Sequence, residues 1–539
     1  MGTSAPLKIW LVVCAVAIAI HLGGPPLLDP DEGRNAEVAR EMAATNDYVV
    51  PRLNALPYLD KPIVYFAAAA ALMEILGPTE LAARLPAYLF TLATAALLLW
   101  WTRRRIGADE AVVTAIAFLA MPLTVAFARI VIFDSTLTFF IVVAIVAFHE
   151  AIETTDRRWT WLAWTAIALG VLTKGPVAIA LPLLVAIPYA VWRKAFRALW
   201  SSGGLIAFGA IVTPWVWAIS LQQPDFLRYV LVTETATRMT TEDLDRAGPP
   251  WYFLPYLLGG AMPWTVVAVS SWREWMRREP RIVFLLLWIV VPLVFFSLSQ
   301  SKRGQYILPL LPPIAVLIGC SWRGLRVRGA AIIVALFGAL LLVAASIPRL
   351  TAEMAPELIG STRRTALALG AVLLAGGLVA IVTKRRAIAV IGLSFPVVAM
   401  PLLINPLLDA LGQRRSSERL AGRISSTFGP RATVIGIEAF TGSLAFYLRR
   451  PVIVATPDGS ELTSNYILEQ YERFSADPAS TIKTPSWLDQ NLRECCEPRV
   501  YVVLRKDVHH QRRLEALGAR RFATEPHYLA YAWSGRQGP

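Results

Sequence analysis

Asp31 and Glu32 open a charged stretch that follows directly on an apolar run at 9–28, and Lys61, followed by a proline, closes it. A carboxylate can deprotonate or orient a hydroxyl group, and an ammonium group can bind a phosphate. The same stretch could equally be an amphipathic surface helix whose acids face water, because one acidic pair is a weak signal. Further polar residues at the same membrane surface are needed to decide.

Asp134, in the segment FDSTLTFF at 133–140, is another acid that could take part in chemistry. A carboxylate at the end of a membrane span is costly unless it is paired or lines a wet cavity. A functional role is therefore one interpretation of Asp134. A structural ion pair with Arg129 is the other.

Basic residues recur between later apolar runs, on the side where the topology given below also places the first charged stretch. They are Lys174, Arg238, Lys302 and Arg303, with Glu234 one helical turn before Arg238 and Tyr306 at interface depth. Glu234 and Arg238 could simply pair, and Lys302 and Arg303 could snorkel to the interface. As a set, however, the cations suit a phosphate at the headgroup level and the acids suit a hydroxyl. A lipid-linked phosphate as leaving group fits both.

The composition indicates that membrane helices position these residues. The 539 residues are 56% hydrophobic and 17% charged, with a mean hydropathy of +0.52. The net charge of +14 would suggest nucleic-acid binding in a soluble protein. Most of the Lys and Arg lie in short runs between apolar segments, which is what membrane orientation requires, so nucleic acid is not an expected partner. The first apolar run is interpreted as a retained helix, not a signal peptide.

Charge distribution decides how many of the apolar runs span the membrane. The run at 63–76 is too short, because a span needs about 20 residues. If it lies at the interface and the others span, every dense basic loop falls on the side of the N-terminus. The sequence then predicts thirteen spans and an outer C-terminal tail. The other runs are 9–28, 84–101, 111–127, 130–148, 159–173, 176–192, 203–221, 252–270, 282–299, 304–320, 329–347, 365–383 and 388–410.

Two extramembrane segments have predicted structure. Asp31 is a suitable N-cap for a helix in the membrane plane, in which Ala36 and Ala39 share an apolar face that Glu37 and Glu41 avoid. A tight loop follows up to Pro62. In the tail, 432–438, 451–456 and 499–505 read as buried strands, and 442–448 and 509–518 as helices. The tail is therefore predicted to be a small α/β domain.

The ordered motifs resemble those of the C-type-fold glycosyltransferases, notably the bacterial 4-amino-4-deoxy-L-arabinose lipid A transferases and the dolichyl-phosphate-mannose–protein mannosyltransferase superfamily. The motifs are DPDEGRNAEVAREM (29–42), LDKP (59–62), ARLPAYLF (83–90), FDSTLTFF, LTKGPVA (172–178), ETATRM (234–239) and SLSQSKRGQYILPLLPP (297–313). The resemblance covers roughly residues 1–411. It implies a transmembrane catalytic domain at 1–411, with a first periplasmic loop at 29–83. The tail at 412–539 matches the family only in position and general character, and its own pattern predicts a periplasmic α/β domain there.

The resemblance also implies an activity, in which an acceptor attacks the anomeric carbon of a polyprenyl-phosphate-linked sugar with inversion. The expected catalytic residues are Asp31, Asp134 and Glu32. The expected donor-binding residues are Lys61, Arg34, Tyr58, Lys174, Glu234, Arg238, Lys302, Arg303 and Tyr306. The acceptor is expected to be lipid A-like or another envelope lipid or glycan. Transfer to protein and a polyprenyl-lipid flippase remain the alternatives.

One departure from the family pattern concerns metal binding. The lipid A aminoarabinose transferases usually have histidine where this chain has Thr235. A metal site that used this histidine cannot be carried over, so no metal is expected to be required, and the case for aminoarabinose as the sugar is weaker. The expected setting is a monomer among the lipids of a bacterial inner membrane, with its active site and tail facing the periplasm.

Overall fold

Long apolar helices form most of the chain up to about residue 403 in the computed structural model, and a mixed sheet lies beyond them. The structure describes residues 4–230, 248–275, 280–351, 353–429, 432–494 and 499–533. Contacts between Cα atoms divide the chain into two units. The first unit comprises Met1–Leu22 and Arg84–Leu407, and the second comprises Gly23–Ala83 and Leu408–Pro539. The first charged loop thus groups with the tail, which the sequence analysis did not anticipate.

The helices are numbered in chain order. They are α1 Ser4–Ala19, α2 Asp31–Thr45, α3 Val64–Leu76, α4 Glu80–Arg105, α5 Ala108–Leu119, α6 Pro122–Phe127, α7 Asp134–Thr154, α8 Arg157–Lys174, α9 Val177–Trp192, α10 Ser202–Gln222, α11 Phe226–Arg228, α12 Phe253–Gly260, α13 Trp264–Ser270, α14 Trp272–Trp275, α15 Pro280–Leu298, α16 Leu311–Cys320, α17 Arg328–Ser346, α18 Pro356–Val382, α19 Arg386–Leu403, α20 Asn405–Arg415, α21 Glu418–Phe428, α22 Gly442–Leu448, α23 Asn465–Glu469, α24 Tyr471–Ala476, α25 Pro485–Glu494 and α26 Val508–Ala516.

Seven helices within the described ranges are long and apolar enough to cross a membrane, and an eighth span results if the bent pair α12 and α13 is counted as one. They are α4, α7, α10 with the 3-10 turn Phe196–Leu199 before it, α15, α17, α18 and α19. Seven or eight candidate spans among the described residues agree with the prediction of a polytopic helical membrane protein. The finer count of thirteen remains a prediction.

Several predicted spans differ in the structure. The run at 111–127 is broken between α5 and α6 at Pro122, and the run at 252–270 bends by 95° between α12 and α13, where Pro263 lies. Proline has no N–H to donate and its ring clashes with the preceding turn, which ends a continuous helix. The run at 9–28 is helical only as α1, which ends at Ala19. The helix α3 has 13 residues, which agrees with the expectation that 63–76 is too short to span.

In the first unit, α7 lies in the core and carries Asp134 as its first residue. The 18-residue window of α7 is 89% buried, and the helix packs against α8 and α9. Elsewhere in this unit small residues bring helices close together. A methyl group on Gly338 of α17 would lie 2.7 Å from the carbonyl oxygen of Gly370 on α18. Such close backbone approach is typical of helix packing in membranes.

The second unit contains a hairpin and a six-stranded sheet. The hairpin strands are β1 Arg52–Leu53 and β2 Leu56–Pro57, and the sheet consists of β3 Thr433–Ile437, β4 Ile453–Ala455, β5 Ile482–Lys483, β6 Arg499–Leu504, β7 Arg520–Thr524 and β8 Tyr528–Trp533. The strand order is β5-β4-β3-β6-β8-β7, in which β3 to β6 run parallel and β7 and β8 run antiparallel. The strands β3, β4 and β6 lie where the sequence predicts them.

Helix α2, which carries Asp31, differs from its predicted form in two respects. Asp31 is the first helical residue, and Pro30 occupies the N-cap position with no side-chain cap. The acids Glu37 and Glu41 are 0% and 5% exposed, so they do not face water. Glu37 is neutralised by two hydrogen bonds of 2.6 and 2.7 Å from Arg40, which allows the charged face to be buried. The helix packs on α3 and α22 of the same unit.

Candidate functional site

The predicted site residues that the structure describes fall into two groups, one in each unit. Asp31, Glu32, Arg34, Tyr58 and Lys61 belong to the second unit, and Asp134, Lys174, Lys302, Arg303 and Tyr306 belong to the first. Glu234 and Arg238 lie outside the described residues. Each group is therefore described separately.

Asp31 is an acid of the second unit whose side chain is open to a ligand. Its side chain is 48% exposed, and its Oδ1 accepts a hydrogen bond of 2.6 Å from Arg34. Arg34 in turn donates to the carbonyl and hydroxyl oxygens of Thr463, both at 3.0 Å. The tail segment thus fixes the guanidinium group, and the guanidinium group orients the carboxylate of Asp31.

Glu32, the neighbouring acid, has a different environment. It is 6% exposed, and its Oε2 accepts a hydrogen bond of 3.1 Å from the backbone N–H of Leu28. This contact stabilises the chain at the start of α2, where backbone N–H groups need acceptors. Glu32 therefore has a structural role that the sequence analysis did not foresee, and Asp31 is the better placed of the two acids for contact with a substrate.

Asp29 is a buried acid that the sequence analysis did not single out. Its carboxylate accepts hydrogen bonds from the backbone N–H of Ser443, at 3.1 Å, and from the Ser443 hydroxyl. Burial raises the pKa of Asp29 to about 7, although the bonds from Ser443 act in the opposite direction. The two backbones approach closely, since a methyl group on Gly442 would lie 2.3 Å from the backbone nitrogen of Arg34. The start of α2 is therefore fixed to the start of α22.

Lys61 and Tyr58 follow the hairpin. Lys61 donates to the carbonyl oxygen of its neighbour Asp60. The Asp60 carboxylate accepts hydrogen bonds from the backbone N–H groups of Asn465 and Tyr466, both at 3.1 Å, so the tail also fixes the segment that carries Lys61. Tyr58 is 2% exposed, and its ring packs edge-on against Phe66. Asp60 was not among the predicted site residues. The feature of the sequence that could have indicated its role is its position directly before the Lys-Pro motif.

A second anchor of this loop is the hairpin turn. Asn54 and Ala55 both have positive φ, at 56° and 65°, as a two-residue hairpin loop with matched twist requires. The Asn54 side chain donates to the Val452 carbonyl and accepts from the Val452 N–H, both at 2.7 Å. These bonds connect the first loop to the sheet region of the tail.

A cavity of about 310 Å³ lies beside Arg34 within the second unit. Three arginines line it, Arg34, Arg414 and Arg415, together with the acids Asp29 and Glu461. Burial raises the pKa of both acids, so positive charge predominates in the lining. In the described part of the chain, the buried Nε of Arg34 has no hydrogen-bond partner. This lining suits an anionic group such as a phosphate.

In the first unit the structure brings together Asp134, Lys174 and Tyr306. Lys174 Nζ lies 2.5 Å from Asp134 Oδ1, with the two side chains 14% and 3% exposed. The ammonium group also lies 4.7 Å from the centre of the Tyr306 ring and 5.2 Å from that of Phe133. Asp134 Oδ2 is buried and has no hydrogen-bond partner among the described residues. This oxygen can therefore accept a hydrogen bond from a bound group.

The alternative pairing of Asp134 with Arg129 is wrong. Arg129 donates to the backbone carbonyls of Ile18 and Ile20, the second at 2.7 Å. Lys174 is distant in sequence but lies at the end of α8, which packs directly against α7. An arginine can satisfy two carbonyl acceptors at once, which leaves Asp134 for the lysine.

Lys302 and Arg303 precede Tyr306 in the chain. Lys302 is 7% exposed and donates a hydrogen bond of 2.6 Å to the carbonyl oxygen of Ser299, so it does not extend freely towards water as simple snorkelling would require. Arg303 is the N-cap residue of the 3-10 helix Gly304–Leu310, which holds Tyr306. The Tyr306 ring packs on Phe296 and Phe253.

Comparison with known proteins supports the resemblance inferred from the motifs. Residues 60–217 match the family model of dolichyl-phosphate-mannose-protein mannosyltransferase. The chain is 34% identical over 350 residues to undecaprenyl phosphate-alpha-4-amino-4-deoxy-L-arabinose arabinosyl transferase 1 of Pseudomonas fluorescens, with 63% of each chain covered. It is 32% identical over 314 residues to the transferase of Erwinia tasmaniensis, with 56% of each chain covered. The chain thus spans less than two thirds of these curated relatives.

The solved structures extend the likeness to the whole chain. The crystal structure of ArnT from Cupriavidus metallidurans bound to undecaprenyl phosphate has a TM-score of 0.87 with 26% sequence identity, and 100% of each chain is covered. The apo state of the same protein has a TM-score of 0.83, with 98% of this chain and 97% of that chain covered. The expected resemblance to C-type-fold glycosyltransferases is therefore confirmed. The chain is a multi-pass membrane protein with this fold.

Proposed function

We propose that this chain is an inverting glycosyltransferase that moves a sugar from undecaprenyl phosphate to a lipid A-like or other envelope acceptor. The observations that carry the proposal are an exposed, oriented Asp31 in the second unit and a buried Asp134–Lys174 pair in the first, in a fold shared with an ArnT that binds undecaprenyl phosphate. The first sugar to test is 4-amino-4-deoxy-L-arabinose, which the names of the relatives contain.

The reaction requires a nucleophile at the anomeric carbon and stabilisation of the departing phosphate. The acceptor oxygen forms a bond to this carbon, and the bond to the phosphate oxygen breaks with its electron pair. If the acceptor is a hydroxyl, Asp31 takes its proton. If the acceptor is already an anionic phosphate, no proton moves, and Asp31 with Arg34 orients the acceptor. The arginine-lined cavity beside Arg34 would then hold the anionic acceptor group.

Cationic groups supply the stabilisation of the leaving phosphate. We assign this role to Lys174, Lys302, Arg303 and Arg238, and we assign binding of the donor phosphate to Lys61. In this proposal Asp134 positions Lys174, whose Nζ lies 2.5 Å from Asp134 Oδ1. The Tyr306 ring contacts the same ammonium group. Preorganised charges at a site that excludes water stabilise a developing anion more strongly than water does.

The topology proposed with this mechanism has thirteen spans, with the N-terminus inside and the tail outside. Its support is the distribution of the dense basic loops, all of which then lie on the cytoplasmic side of a bacterial inner membrane. The catalytic domain would comprise residues 1–411 and the periplasmic α/β domain residues 412–539. We further propose that the protein acts as a monomer. It would require no metal, since Thr235 stands where the family pattern has histidine.

Asp31→Asn tests the proposal, with Asp47→Asn as the matched control in the same loop. Purified full-length protein would be supplied with labelled undecaprenyl-phosphate aminoarabinose and lipid A. We expect Asp31→Asn to lose transfer while the control keeps it, because asparagine at position 47 still offers the oxygen that accepts from Val49 and Val50. Full transfer by Asp31→Asn at normal expression would overturn the assignment of Asp31.

A further inference from the structure

A large cavity opens in the first unit, where α8 begins and α9 ends. Its volume is about 840 Å³, and residues from α8, α9 and the 3-10 turn Phe196–Leu199 line it. None of the residues assigned to sugar transfer lines this cavity. Its basic residues belong to the loops that the charge distribution assigns to the cytoplasmic side, opposite to the proposed catalytic surface.

Hydrogen bonds fix the walls of this cavity in place. Thr160 donates a bond of 2.8 Å to the carbonyl oxygen of Ala198, and the Trp164 ring N–H donates one of 3.0 Å to that of Leu199. Two successive residues of the 3-10 turn, Ala198 and Leu199, therefore accept hydrogen bonds from α8. Such a wall needs little rearrangement to receive a ligand, which lowers the entropic cost of binding.

The charge of the lining is predominantly positive. Arg157, Lys194 and Arg197 line the cavity and are exposed, and in the described part of the chain none of them forms an ion pair. Asp156 is the one acid of the lining, and its side chain already accepts a hydrogen bond of 2.9 Å from the backbone N–H of Arg158. The lining thus offers three cationic groups to an anion.

Lys194 has a backbone conformation that a lysine rarely adopts. Its φ is 57°, in the left-handed region, directly after the C-cap of α9. Glycine is the residue that normally occupies such a position, because it has no Cβ to clash. A lysine there is less favourable than a glycine, and its side chain lies in the lining of the cavity.

Part of the cavity lining is apolar and exposed. Phe196, Trp200 and Val191 are 45%, 41% and 60% exposed, and the rings of Phe196 and Trp200 lie 6.2 Å apart. Tryptophan is typical of the membrane–water interface, where its ring contacts lipid and its N–H contacts the headgroups. Cations beside exposed apolar groups therefore match an amphiphile with an anionic headgroup.

We propose that this cavity binds the headgroup of an anionic phospholipid. Arg157, Lys194 and Arg197 would hold the phosphate, and the acyl chains would lie along Phe196 and Trp200. Basic pockets between helices on the cytoplasmic side are a recurring lipid-binding arrangement. The proposed site is independent of the sugar-transfer reaction.

Lipid binding to the full-length protein tests this proposal. Native mass spectrometry would compare phosphatidylglycerol with phosphatidylcholine, added to the detergent-purified protein. We expect at least tenfold tighter binding of phosphatidylglycerol to the wild type, and at least a fivefold loss of this preference in Lys194→Gly and in Arg157→Ala/Arg197→Ala. Lys194→Gly relieves the positive φ, so its melting temperature should not fall, and lost lipid binding cannot then be attributed to unfolding.

Arg385→Ala is the matched control, because Arg385 is an exposed residue of another basic loop and does not line the cavity. It should keep the preference of the wild type. The proposal would be overturned if Lys194→Gly and the double variant keep the preference, or if Arg385→Ala loses it to the same extent. Equal binding of soluble glycerol 3-phosphate and phosphatidylglycerol would overturn the assignment to a lipid. None of these measurements depends on glycosyltransferase activity.

Discussion

Lys174→Met separates a catalytic role of the Asp134–Lys174 pair from a purely structural one. The pair has a separation of 2.5 Å, and its side chains are 14% and 3% exposed. Methionine fills a volume similar to that of lysine but removes the ammonium group. The Asp134 carboxylate would then remain buried with neither oxygen paired to a cation.

The expected loss in unfolding free energy is about 3–5 kcal/mol, the usual cost of removing one partner of a buried ion pair. The double variant Asp134→Asn/Lys174→Met has no buried charge left at this point. Its unfolding free energy should return to within about 1 kcal/mol of the wild type, because a buried pair and a neutral replacement are often equal in stability. Its activity should not return, since loss of one preorganised electrostatic group costs about 100-fold to 1000-fold in rate.

Two assays on the same preparations measure these outcomes. Unfolding in mixed detergent micelles gives the free-energy differences, and initial rates of labelled sugar transfer give the activity. Recovery of both stability and activity in the double variant would refute a role in catalysis and leave a structural pair. A loss below about 1 kcal/mol in Lys174→Met would refute the buried pair itself.

Three further predictions concern the loop and the cofactor requirement. Lys61→Ala should raise the KM for the donor about tenfold with little change in kcat, because one charge-assisted contact contributes about 1.5 kcal/mol, and an unchanged KM in initial-rate measurements would contradict this. Burial raises the pKa of Asp29 from 3.8 to about 7, so its ionisation opposes folding, and the stability of the wild type relative to Asp29→Asn should fall as pH rises between these values. A difference that is constant with pH would exclude this titration. Chelation of divalent metals should leave the transfer rate within about twofold, whereas a loss that added metal restores would show a metal requirement.

The sequence predicted best the elements that depend on local patterns. The strands β3, β4 and β6 are short apolar runs between turn residues, and the structure forms them at these positions. The helix α22 likewise matches its predicted bounds of 442–448. The break at Pro122 was also visible as a proline inside an apolar run, but composition alone favoured one continuous span.

Partners that are distant in the chain could not be predicted in this way. Arg129 is the nearest cation to Asp134 in sequence, yet Lys174 is its partner because α8 packs against α7. Asp60 bonds to the backbone of Tyr466, 406 residues later. The burial of Glu37 depends on tertiary packing around α2, and the helical period alone predicted a water-facing acid. Such contacts follow from the tertiary arrangement, which local periodicity does not determine.

A single-turnover measurement on the full-length protein, reconstituted in sealed vesicles, follows both products of the proposed transfer. With donor labelled in the sugar and in the lipid, each labelled sugar that appears on the acceptor should be matched by one free undecaprenyl phosphate, and the anomeric configuration should be inverted. Donor that crosses the vesicle membrane intact, with no free undecaprenyl phosphate and no labelled acceptor, would rule out transfer and indicate transport instead.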